Sequence, residues 1–205
     1  MTARNKIRKA VNGGFTLVEL LIVIGLLGVI ALIVIAAINP IEQANRARDT
    51  SFKSDGAQLI SAIDRYFAAR QEFPWVTTGG ATDNDSSYGF ISAGDEGIGI
   101  CGADCTADGA LIINDELKPE FRNRDFIDDH GGTDNSKKLF MGKETGTSES
   151  VYACFIPAAK ATRQDAIADG DVYTISAADG TRSETTSCDA DDANWITNGC
   201  YICIP

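Results

Sequence analysis

From Phe15 to Ile38 the chain reads FTLVELLIVIGLLGVIALIVIAAI, an unbroken apolar run with one ionisable side chain, Glu19. As a helix rising about 1.5 Å per residue it is roughly 36 Å long, enough to cross a hydrocarbon core of about 30 Å. A run apolar on every face has no wet side, so a buried helix of a soluble protein is a poor fit. Arg4, Lys6, Arg8 and Lys9 stand just before it, and residues 1–14 contain no acid. That charge pattern places the N-terminus in the cytoplasm and the remainder outside. A secretory signal peptide also starts basic, but its apolar stretch is only about 7–15 residues and its small-residue cleavage site follows. Here the small residues, Gly13 and Gly14, come first. Cleavage at this Gly-Gly would remove the basic segment and leave the membrane helix on the mature chain.

The segment NGGFTLVELLIVIGLLGVIALI (residues 12–33) closely resembles the class III signal of type IV pilins and pseudopilins. The resemblance covers about the first 35 residues: a basic leader, Gly, Phe, Thr-Leu, then Glu inside an apolar helix. It implies that a prepilin peptidase cuts after Gly14 and that Phe15 becomes the N-methylated first residue. It also implies that Glu19 pairs with the N-terminal amine of a neighbouring subunit during filament assembly. Physical reasoning agrees, because a carboxylate costs about 2.5–3.5 kcal/mol at a bilayer centre and less near an end. After cleavage Glu19 stands one helical turn from the Phe15 amine, at the positive end of the helix dipole. In one respect the chain departs from the family: Pro40 sits at the end of the apolar run, with Gly25 and Gly28 interrupting its middle. Which stretch melts in a filament is therefore left open.

After Asn39-Pro40 the chain turns amphipathic. Ile41, Ala44, Arg48, Phe52, Gly56, Leu59, Ile63 and Phe67 recur every three or four residues, with Ile60 beside them, and Phe73-Pro74-Trp75 ends the pattern. If Pro40 only kinks the chain, one helix runs from Phe15 to Arg70. Beyond Trp75, ALII (110–113), VYACFI (151–156), DVYTIS (171–176) and CYICI (200–204) read as strands. Between them lie Gly-, Asp-, Ser- and Thr-rich connections such as GKETGTSES (142–150). The expected fold is α+β: a long N-terminal helix packed on a small antiparallel sheet with disulfide-bearing loops. The domain reading is a leader at 1–14, a transmembrane or filament-core helix at 15–38, its amphipathic continuation at 39–73, and an acidic head at 74–205.

Net charge follows this division: +4 over residues 1–14, 0 over 15–70 and −15 over 71–205. So acidic an outer block argues against direct nucleic-acid binding. All six cysteines, Cys101, Cys105, Cys154, Cys188, Cys200 and Cys203, lie in it. An even number confined to the presumed outer domain suits disulfides. They can pair in fifteen ways, and sequence does not choose. The expected set is Cys101–Cys105 as a local loop, Cys188–Cys200 around DADDANWITNG, and Cys154–Cys203 between two strands. A zinc site from C-x3-C and C-x2-C is the rival reading, which an oxidising location disfavours.

Other candidate sites are weak. Asp83, Asp85 and Ser87 begin like a calcium loop, but Tyr88 and Gly94 stand where the turn glycine and terminal glutamate belong. DADDAN (189–194) is a second acidic candidate; a solvated loop accounts for both, and no metal or other cofactor is expected. His130 reads as a loop residue, and Trp75 and Trp195 read as packing residues. With a single His in the chain, no nucleophile–base pair is evident, and no catalytic residue or enzyme activity is expected.

Taken together, the resemblance implies a structural subunit of a type IV pilus serving adhesion, twitching motility or DNA uptake. The alternative is a pseudopilin of a type II secretion or competence system. Expected partners are further copies of the chain, prepilin peptidase, the inner-membrane assembly platform and, before assembly, the membrane. The expected location is a single membrane span, then the cell surface.

Overall fold

The computed structural model describes residues 14–37, 39–77, 81, 83–86, 88–102, 105–128, 132–146, 149–189 and 192–205. The chain forms two compact units that meet in sequence at Pro40 and Ile41. Helix α1 is Leu17–Ala37 and helix α2 is Pro40–Arg70. Pro40 is the first residue of α2. At the first helical position its missing N–H has no partner to lose, and its fixed φ is already helical.

The second unit is built on a four-stranded antiparallel sheet in the order β1 (Tyr88–Ser92), β2 (Leu139–Lys143), β3 (Val151–Phe155), β6 (Ile202–Ile204). A two-stranded sheet, β4 (Tyr173–Ile175) and β5 (Arg182–Glu184), accompanies it. Short helices α3 (Pro74–Thr77), α4 (Ala110–Ile113), α5 (Asp125–Asp128), α6 (Lys160–Asp169) and α7 (Asp192–Asn198) fill the connections. The fold is α+β.

Strands β2 and β3 are buried along their whole length, and the two-residue period of a strand divides their side chains between two cores. Leu139, Met141, Val151, Ala153 and Phe155 join Phe52, Leu59 and Ile63 of α2 in the larger one. Phe140, Tyr152 and Cys154 face the smaller one, with Trp195, Val172 and Tyr201. Helix and sheet approach closely at Gly56, where a Cβ would stand 2.8 Å from Ile204 Cδ1 and 3.1 Å from Ala153 Cβ. Both tryptophans are buried.

The buried stripe of α2 differs from its apolar periodicity. Ile41 is 72% exposed, and the stripe begins instead at Asp49, which is 1% exposed. Ahead of Phe52 the contact is polar. The Asp49 carboxylate accepts from the amides of Ala158 and Ala159, both at 2.9 Å. Glu42 accepts from the amides of Ala161 and Lys160 at 3.0 and 3.2 Å, so it caps α6 from outside, and these donors hold its carboxyl below the usual range. Asn45 and Arg48 donate to the carbonyls of Ala158 and Ile156. Four side chains of α2 thus satisfy the backbone of the 156–161 turn, a task apolar residues cannot perform.

ALII, expected as a strand, is helix α4. Ile113 N donates to Gly109 O and Asn114 N to Ala110 O, while Leu111 and Ile112 are buried and Ile113 is 69% exposed. A four-residue apolar run is too short for its period to separate helix from strand. The presumed loop 142–150 begins inside β2, because Gly142 leaves room for the Tyr152 ring and Lys143 is buried. The Lys143 amine donates to the carbonyls of Glu144 and Gly146, and burial lowers its pKa.

Candidate functional site

The sequence Thr16-Leu17-Val18-Glu19 folds as a capping box at the start of α1. Thr16 is the residue before the first helical turn, and its hydroxyl oxygen accepts from Glu19 N at 3.2 Å. In return Glu19 Oε2 accepts from Thr16 N at 2.9 Å and from the Thr16 hydroxyl at 2.8 Å. Two of the amides that a helix N-terminus leaves without partners are thereby satisfied. Thr16 was not singled out from the sequence, although Thr-x-x-Glu before an apolar run is the signature that finds it. The carboxylate reaches back along α1 to its first residues, so its charge sits at the positive end of the dipole.

Residues Leu17–Ile35 are long and apolar enough to cross a membrane, and none of that stretch is buried by the chain's own fold. A soluble core helix would be mostly covered, so that reading of the run has no support. Gly25 and Gly28 lie on this open helix with nothing within 4 Å of a Cβ placed on either. Gly14 is exposed and Phe15 is 87% exposed, so the peptide bond between them is accessible. The residues before Gly14 lie outside the described residues.

The cysteines are paired Cys101–Cys105, Cys154–Cys203 and Cys188–Cys200. Cys154 and Cys203 face each other across β3 and β6 with Cα atoms 4.1 Å apart, the close spacing of a non-hydrogen-bonded cross-strand pair. A sulfur joined in a disulfide is no longer available as a thiolate, the form that binds zinc.

Among the acidic candidates, Asp83 is engaged by its own turn. Its Oδ1 accepts from Asp85 N, Ser86 N and the Ser86 hydroxyl at 2.8–3.0 Å, and the Ser86 donors hold its carboxyl below the usual range. Asp189 and helix α7 are described, but Asp191, Ser87 and His130 lie outside the described residues. Among the described residues no three His, Cys, Asp or Glu side chains converge as a metal site.

No curated protein and no solved structure matches the chain. Residues 9–35 match the family model described as the prokaryotic N-terminal methylation motif. The matched stretch contains Gly14, Phe15, the Thr16–Glu19 capping box and most of α1. Residues 9–35 therefore carry the class III signal found in type IV pilins and pseudopilins.

Proposed function

We propose that the protein is a structural subunit of a type IV pilus, cut after Gly14, N-methylated on Phe15 and polymerised through α1. The observation that carries this reading is an apolar helix that its own chain leaves uncovered, opened by Thr16 and Glu19 directly after the Gly14–Phe15 bond. Lipid covers the helix before assembly, and the helices of other copies cover it afterwards. Within the filament the Glu19 carboxylate meets the Phe15 amine of a neighbouring copy. Its Oε2 already holds two donors from Thr16, so the capping box lowers the cost of the charge in the membrane and fixes the group where the amine arrives. The second unit supplies the outer surface, and the family's filament roles in adhesion, motility or DNA uptake belong to the assembled fibre.

The test is mass spectrometry of purified surface filaments combined with Glu19→Ala. Wild-type filaments should yield this chain beginning at N-methyl-Phe15. Glu19→Ala should insert, be cleaved and fold its head, yet be absent from filaments when it is the only copy. Removing one partner of such a desolvated pair costs about 3–5 kcal/mol. Normal filaments built from Glu19→Ala would remove the assembly role. Wild-type chain found only in periplasmic fibres would favour the pseudopilin alternative, which shares the same α1 chemistry.

A further inference from the structure

We propose that Asn198–Gly199 is a site of spontaneous deamidation, and that its conversion is a one-way switch releasing the link between Asn198 and Ser187 while the Cys188–Cys200 disulfide holds. It is the only Asn-Gly pair beyond the leader. Asn198 is the last residue of α7 and is exposed. Gly199 follows in the left-handed region at φ 63°, and a Cβ placed on it would have nothing within 4 Å. The chain leaves the helix in open space, at a residue with no side chain to obstruct rotation. Asn84 and Asn114 are followed instead by Asp. Their amides donate at 2.7 and 2.6 Å to Gln71 and Ala110 carbonyls, whereas Asn198 Nδ2 donates to Ser187 O at only 3.4 Å.

The chemistry needs only water. The Gly199 backbone nitrogen loses its proton and bonds to Asn198 Cγ. The Cγ–Nδ2 bond breaks and Nδ2 leaves as ammonia, giving a succinimide. Water then opens the ring at one of its two carbonyls, leaving Asp or isoaspartate at position 198. Two consequences follow from the surroundings. A carboxylate cannot donate to Ser187 O, so the cross-loop hydrogen bond is lost. A negative charge also appears at the C-terminal end of α7, where the helix dipole opposes it. The Cys188–Cys200 bond and the Cys200 N to Trp195 O hydrogen bond at 2.9 Å remain, which confines the change to the loop. For a protein exposed outside the cell, the extent of conversion would record the age of each copy.

The test incubates the purified full-length chain in detergent at mildly alkaline pH and follows the 187–200 segment by peptide mass spectrometry and amide hydrogen exchange. Position 198 should convert to Asp and isoaspartate before any other asparagine, with loss of exchange protection at residues 187–189 and 192–199 and not in the four-stranded sheet. Asn198→Gln keeps an amide donor but disfavours ring closure, and should abolish conversion with all three disulfides intact. Asn198→Asp should show the loosened loop from the start. Conversion at another asparagine first, or none at Asn198, would overturn the site. Unchanged protection in converted protein or in Asn198→Asp would overturn the switch.

Discussion

Replacing Asp49 by Ala tests how α2 is fastened to the second unit. Asp49 is 1% exposed and each carboxylate oxygen holds one amide, Ala158 N and Ala159 N, at 2.9 Å. Alanine removes both acceptors. Ala159 is buried, so its N–H would lack a partner at a cost of about 1–3 kcal/mol, with charge-assisted bonds at the upper end. Ala158 is partly buried, and water recovers part of its bond. Alanine returns roughly 0.5 kcal/mol of helix propensity, so the expected net loss is about 3 kcal/mol. That is a large share of the roughly 5–15 kcal/mol typical of a folded domain. Asp49→Asn keeps one acceptor oxygen and should lose about half as much. Trp75 and Trp195, both buried in the second unit, make urea unfolding of the detergent-solubilised chain readable by fluorescence. A loss for Asp49→Ala no larger than for exposed Gln43→Ala would refute the reasoning.

Three further outcomes are expected. Gly56→Val should destabilise the second unit by about 1–3 kcal/mol in the same assay, because its methyls have no space against Ile204 and Ala153. Asp55 is buried, and desolvation raises its pKa despite Arg124 at 3.5 Å. A raised folded pKa contributes stability that is fully present below the unfolded carboxylate pKa and is lost as pH rises through the folded one. Asp55→Asn should therefore be more stable relative to wild type at pH 7 than at pH 3, and a wild-type advantage that grows with pH would contradict this. Replacing Cys154 and Cys203 together by Ser should cost about 2–4 kcal/mol, measured as a lowered melting temperature, and more than removing Cys101–Cys105. The sequence separations are 49 and 4, and longer loops carry more unfolded-state entropy.

The fold class was legible because its strongest signals are local. The apolar run around Leu26, the three-to-four spacing from Phe52 to Ile63, and the β-branched and aromatic residues of VYACFI each depend on near neighbours. The α4 helix was not, since four residues carry too little period. Strands β1 and β2 escaped because YGFIS and LFMGK contain glycines whose purpose lies elsewhere in the chain: Gly142 yields to the Tyr152 ring. The polar start of the α2 stripe escaped for a related reason. Asp49 reads as a solvated helix charge until the 156–161 turn, 110 residues away, supplies its donors. At the candidate site the signal was legible residue by residue, but the Thr16–Glu19 reciprocity was overlooked although its pattern is local.

The two units divide the physical work. Every apolar side chain between Leu17 and Ile35 is uncovered by its own chain, so whatever free energy that surface yields must come from lipid or from other molecules. The second unit buries Trp75, Phe155, Trp195 and their neighbours in two cores of its own, and three disulfides cross-link it. Moving α1 from a bilayer into a bundle of like helices would exchange one apolar environment for another. The apolar term then changes little in either direction, as for helices that associate within lipid. What distinguishes the two states must be polar or geometric, and α1 carries one ionisable group, Glu19, held in its capping box at the helix's first turn. Under the proposed function a single carboxylate would decide between lipid and filament, because the surrounding surface is nearly indifferent to the choice.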